Sequence, residues 1–255
     1  MTVEGSLLSH LVELRTRLIR IVSGLLIGFI PCAFYARELY TMLAQPLLEK
    51  LPQGGQMIAT DVATPFFVPM KVAMMLAFVI ALPHTLYQTW AFIAPGLYSH
   101  EKRLALPLVF AGSLLFFSGM LFAYFAALPL VFEFITYFAP EGVAVMTDIN
   151  KYLSFVLSMF MAFGITFEVP VVVMVLVKTG FITIEKLREI RPYVIVGSFV
   201  IAAIITPPDV ISQFMLAVPL CLLYEAGIII AALTLKKDRQ ENDKTTSDQS
   251  ENDNT

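Results

Sequence analysis

The chain has 255 residues, 58% of them hydrophobic and 15% charged, with a mean hydropathy of +0.77 and a formal net charge of −3. Soluble domains carry roughly 25% charged residues, so this balance excludes an ordinary soluble domain and leaves a membrane protein. The small net charge, set mostly by an acidic tail, excludes a nucleic-acid surface built on basic residues.

The N-terminal stretch Leu7–Arg20 places Leu7, Leu11, Leu14 and Leu18 on one helical stripe, with Glu13, Arg17 and Arg20 elsewhere around it. On its own this reads as an interfacial helix whose arginines meet anionic lipid, a role that Glu13 does not suit. No small-residue cleavage site follows, so the first apolar stretch is expected to remain as an uncleaved span. Runs of about 20 apolar residues mark spans at Leu18–Ala36, Val72–Ile93, Leu104–Leu128 and Tyr152–Val177. The apolar stretch from Pro192 to Leu235 is broken by Thr206-Pro-Pro-Asp209, a turn signal, and so divides into Pro192–Thr206 and Val210–Leu235. The expected fold is an all-α integral membrane protein of six helices with a kinked fourth and a short fifth. At 15 residues, the fifth reaches about 22 Å against a hydrocarbon core of about 30 Å.

Thirteen of the seventeen Lys and Arg residues fall at the N-terminus, in the second-to-third and fourth-to-fifth connectors, and in the tail. The basic-residue rule then puts both termini in the cytoplasm. Of the outer connectors, Arg37–Met70 carries an apolar helical stretch near Leu39–Leu51 and reads as a structured cap, and Pro129–Asn150 is also substantial. The membrane domain is expected over residues 1–235. The tail, 236–255, is polar, lacks aromatics and is expected to be disordered. Cys32 and Cys221 lie in apolar segments and read as packing residues.

Several polar residues stand out. Glu168 lies inside the fourth apolar run, where a charge costs on the order of 2.5–3.5 kcal/mol, two residues before Pro170, which is expected to kink the helix. A neutral Glu168 bonded to the Thr166 carbonyl would serve structure alone, and a contact to a partner helix would make it functional. Glu225 is a second acid, near the end of the last span. Gly24 and Gly28 form a weak small-xxx-small pair. His84 has no His, Cys or acid at ligand spacing and reads as a hydrogen-bonded membrane histidine, so no metal is expected. Asp209 is placed to N-cap the last helix, worth about 1 kcal/mol. Glu101, just before the third span, is an ordinary first-turn acid unless it pairs with Glu13 on the same face. Two carboxylates are what a site needs to grip guanidinium groups.

Six motifs in order, His10-Leu-Val-Glu-Leu-Arg-Thr-Arg-Leu18, Leu51–Val62, Trp90–Leu97, Phe167-Glu-Val-Pro170, Arg191-Pro-Tyr193 and Thr206–Val210, resemble the TatC family, the core subunit of the twin-arginine protein translocase, most of all its proteobacterial members. The resemblance covers nearly the whole chain except the tail. It implies a receptor for twin-arginine signal peptides in a bacterial inner membrane, working with the small single-span TatA and TatB subunits in an oligomeric complex. It implies an export step driven by the proton gradient, with no cofactor and no enzymatic activity. The family's signal-binding acids match Glu13 and Glu101, and its recognition surface matches Arg15, Arg17, Phe92 and Arg103. Its functional loop proline matches Pro46. Its polar docking site for partner helices matches Thr206 and Gln213, with Ala203 departing from the pattern; Glu168 is assigned to the same task. Arg17 and Arg103 are expected to hold the acids when no peptide is bound.

Two other functions fit the residues less well. A proton-coupled transporter using Glu168 lacks a second facing acid and internal repeats. An intramembrane serine protease needs Gly-x-Ser-Gly, but Ser118-Gly119 follows Phe116 and Phe117. No phosphate loop is present, so nucleotide hydrolysis is not the energy source.

Overall fold

A computed structural model describes residues 3–48, 57–93, 105–137, 147–206 and 210–252. The described elements are α1 (Val3–Phe34), α2 (Ala36–Leu48), β1 (Met57–Ile58), α3 (Thr64–Ile93), α4 (Ala105–Phe122), a π-helical turn (Ala123–Ala127), α5 (Leu128–Tyr137), β2 (Thr147–Asp148), α6 (Ile149–Lys178), α7 (Ile184–Glu189), α8 (Arg191–Ile205) and α9 (Val210–Asn252). Among the described residues, five stretches are long and apolar enough to cross a membrane: Leu11–Phe34, Thr64–Phe92, Leu106–Phe134, Ile149–Lys178 and Val210–Lys236. The 15-residue α8 is apolar but shorter, as its sequence predicts.

Helices extend past the apolar runs wherever nothing stops them. The amphipathic segment at residues 7–20 is not a separate interfacial helix. It is continuous with the first span as α1, because no Gly or Pro interrupts it between Leu7 and Val22. Likewise the connector expected from Pro129 begins with more helix, to Tyr137. The Leu128 N–H bonds the Ala123 carbonyl, five residues back. The next residue, Pro129, has no N–H to give, so the helix widens by a residue where a regular bond is lost anyway. At the C-terminal end α9 continues to Asn252, where the sequence reading expects disorder from residue 236. Lys236–Asn252 contains neither Gly nor Pro to end the helix.

α6 is the central element, packed on α4 along one side and α9 along another. Its contact with α4 is backbone-close: a Cβ on Gly119 would lie 2.5 Å from the Phe163 carbonyl oxygen, and one on Gly164 would meet the Phe116 ring at 2.5 Å. The largest apolar cluster surrounds this seam and includes Leu128, Val131, Val156, Met159 and Phe163, all fully buried. On the other side Gly227 of α9 sits over Pro170 and Val173. Pro170 lies inside α6 without ending it. α1 packs on α3, where Gly24 lies under the His84 ring and Gly28 against Ala77, so the small pair serves a helix contact within the chain. Cys32 is a free, buried thiol beside Ala73 and Ala77.

One end of the bundle carries the expected cap. β1 and β2 form a two-residue parallel pair, Met57 opposite Thr147 and Ile58 opposite Asp148. Asp148 N-caps α6, accepting from the backbone N–H groups of Asn150 and Lys151 at 3.0 and 2.9 Å. It also accepts from the hydroxyl and N–H of Thr60. These bonds, the Thr60 hydroxyl first, hold its carboxyl below the usual carboxylate range. Lys71 Nζ donates to Asn150 Oδ1 at 2.8 Å.

Candidate functional site

Arg17 is the hub of the first cluster. Nη2 lies 3.0 Å from Glu13 Oε1, one turn away on α1. Nη1 donates to Gln88 Oε1 at 3.1 Å, and Nη2 to the Ala91 carbonyl at 3.2 Å, both on α3. Ala91 is in the last turn of α3, where carbonyls lack helical partners and the helix dipole favours a cation. A single guanidinium therefore ties the start of the first span to the end of the second and fixes the position of Glu13. Glu13 and Arg17 remain partly exposed, at 32% and 20% of their side chains, so the acid is oriented and still accessible. Arg15 is exposed on the same helix, and Phe92, half-buried, closes the last turn of α3. Glu101 and Arg103 lie outside the described residues, so of the two expected acids one is placed. Gln88, 5% exposed, was missed by sequence reasoning; an amide in an apolar run, one turn from the helix end, was the available signal.

His84 Nε2 lies 3.2 Å from the Arg20 carbonyl oxygen, which can only accept, so the ring donates there. This is the hydrogen-bonded histidine its sequence setting predicts. Among the described residues no three His, Cys, Asp or Glu side chains converge as a metal site would require.

Glu168 projects from α6 onto bare backbone of α4. A Cβ on Gly112 would fall 2.9 Å from Oε2 and 3.1 Å from Oε1. Oε1 is buried and has no hydrogen-bond partner. The bond to the Thr166 carbonyl, which would serve structure alone, is not formed. Residues two apart point to opposite sides of a helix, which puts that carbonyl out of reach.

Thr206 and Gln213 form a different place. The Thr206 hydroxyl donates to the Ala202 carbonyl at 2.8 Å as α8 ends, and Gln213 Nε2 donates to the Phe199 carbonyl at 3.0 Å, joining α9 to α8. Ala203 is exposed beside them. Gly227 is level with Pro170, and Gln213 is 14 residues earlier on α9, hence about 21 Å away along the axis. Glu168 therefore does not share one patch with Thr206 and Gln213. Asp209 lies outside the described residues.

Further along α9, Glu225 meets Arg191. The pairs Nε–Oε1 and Nη2–Oε2 are both 2.7 Å, a forked contact that joins the start of α8 to α9, although the Nε contact falls outside hydrogen-bond geometry. The Tyr224 hydroxyl donates to the Leu187 carbonyl at 2.8 Å close by. In the cap, Pro46 belongs to α2. With no N–H, it leaves the Met42 carbonyl without its helical donor, and the Tyr124 hydroxyl donates to that carbonyl at 3.4 Å. Tyr152 donates to the neighbouring Leu43 carbonyl at 3.1 Å. The functional proline of the resemblance is thus the residue that frees a backbone acceptor for the third span.

The family profile described as "Sec-independent protein translocase protein (TatC)" matches residues 9–219. A protein of that name from Haemophilus influenzae is 48% identical over 232 residues, 91% of each chain. One from Azotobacter chroococcum is 50% identical over 226 residues, 89% of each chain. A crystal structure of the twin arginine translocase receptor TatC matches with a TM-score of 0.78 at 43% identity, covering 88% of this chain and 98% of that one. With its polar clusters mounted on membrane-crossing helices, the chain belongs to the TatC family, as the core receptor subunit of a Sec-independent protein translocase.

Proposed function

We propose that this subunit binds twin-arginine signal peptides of folded proteins at the end of the bundle that carries Glu13, and that this end faces the cytoplasm. In this reading the protein sits in a bacterial inner membrane with six spans, α8 being the short fifth, and both termini inside. The observation that carries the reading is the Glu13 carboxylate held by Arg17 at 3.0 Å in a partly exposed position. An arginine of an incoming peptide presents the same planar fork as Arg17 and can replace it on Glu13. Glu101 supplies the second acid and Arg103 its resting partner. Arg15 borders the site, and Phe92 offers an apolar surface to the residues beside the arginine pair.

TatA and TatB are the proposed partners. Their single spans contact Thr206 and Gln213 at one depth and Glu168 at another. Asp209 is proposed as the N-cap of α9, and Pro46 as the residue that holds the cap. The transmembrane proton gradient supplies the energy to the assembled complex, and the chain itself catalyses no reaction.

The test is site-specific photo-crosslinking of a twin-arginine signal peptide to the full chain in membranes. Glu101→Ala is expected to abolish the adduct while the protein remains inserted. An undiminished adduct removes the recognition site from this face.

A further inference from the structure

We infer that Gly112 is a positioning residue for Glu168: its bare backbone is the seat that stows the carboxyl between α4 and α6, ready to be turned out to a donor on a neighbouring helix. The partner half of this inference rests on the reading of Glu168 given above. Three observations carry it. Both carboxyl oxygens lie within 3.1 Å of where a Cβ on Gly112 would stand. Oε1 is buried in that seat with no hydrogen-bond partner, an arrangement that leaves a strong acceptor unsatisfied and gains from any donor that reaches it. And the seat cannot be relieved by parting the helices, because the same faces are locked one and two turns further along.

That lock separates Gly112 from the other glycines of the seam. A methyl group at position 119 would strike the Phe163 backbone at 2.5 Å, and one at position 164 the Phe116 ring at 2.5 Å. At position 112 the nearest atoms are the far ends of two flexible side chains, Glu168 and Leu86, the latter at 3.2 Å. A methyl group there displaces the carboxyl and leaves the backbones in place. Gly112 is thus the position at which a single carbon changes where Glu168 points without changing how α4 and α6 pack.

The test uses the full chain in membranes, with a hydrophobic carbodiimide as the probe for accessible carboxyl groups and Glu168→Gln as the unlabelled control. Gly112→Ala is expected to raise labelling at Glu168 severalfold, read by peptide mass spectrometry, with insertion and thermal stability retained. Equal labelling in the parent and Gly112→Ala overturns the seat. Should Gly112→Ala reduce the inserted protein, Gly112→Ala combined with Leu86→Ala relieves the second neighbour and carries the same comparison. In a second arm Ile165→Cys, exposed one turn before Glu168, reports cross-linking to the single-span subunits. Gly112→Ala is expected to change that yield and Glu168→Gln to lower it. If Glu168→Gln leaves it unchanged, Glu168 makes no partner contact, while the labelling comparison still decides the seat.

Discussion

Arg17 makes three contacts to two helices, and that arrangement sets what neighbouring substitutions should do. Gln88→Leu removes one acceptor but leaves Glu13 and Ala91. It should cost about 1 kcal/mol of stability, the scale of one buried polar contact between membrane helices, and this is measurable as a lowered thermal midpoint in detergent. At Glu13 the sign of charge matters more than the lost bond. Glu13→Lys places a cation one turn from Arg17 and repels peptide arginines, whereas Glu13→Gln keeps an acceptor. Export assays should therefore rank parent, Gln and Lys in descending order; equal export by Gln and Lys variants would remove charge pairing from the account. At Glu168, a Gln variant with full export would show that the ionised form is not required.

At the scale of elements, the α4–α6 seam is set by close backbone approach and tolerates no added carbon at its tightest point. Gly119→Ala has to shift the Phe163 backbone and repack the Phe167 ring, and overpacking of this kind costs about 1–3 kcal/mol. Its thermal midpoint should fall clearly, in contrast with Gly112→Ala. α8 depends on its two ends. Arg191 grips Glu225 at one, and Thr206 and the Gln213–Phe199 bond close the other. A helix of 15 residues reaches only about 22 Å, short of a hydrocarbon core of about 30 Å, and these polar ties add to the apolar contact that holds it in the bundle.

For the molecule as a whole, the cap is joined to the spans through Asp148, which closes β2, caps α6 and holds Thr60. Its carboxyl is more acidic in the folded cap than in an unfolded chain, so its contribution is fully present above the unfolded carboxylate value. It is lost as pH falls through the lowered folded value. Limited proteolysis of the loop between α2 and α3 should accelerate over that acidic window, and Asp148→Asn should remove the dependence. A window unaltered in Asp148→Asn would place the acid sensitivity elsewhere.

Residue patterns alone establish a helical membrane protein, the places of the five long apolar helices among the described residues, the shortness of the fifth apolar run and the family motifs. Hydrocarbon demands runs of apolar residues with every backbone group paired inside the helix, and such runs are visible one residue at a time. Glu168 was legible for the same reason, Glu13 as an acid that does not suit a lipid-facing helix, and Gln213 only through the family resemblance. What each polar group meets follows from helix packing: Gln88 and Ala91 for Arg17, Arg191 for Glu225, and the bare backbone of Gly112 for Glu168. It also separated Glu168 from Thr206 and Gln213 by depth and made the N-terminal amphipathic stretch one helix with the first span. These features depend on which faces of distant helices meet, and on how closely. That is fixed by small residues and side-chain length across each seam, between positions 34 to 74 residues apart, and no local pattern records it.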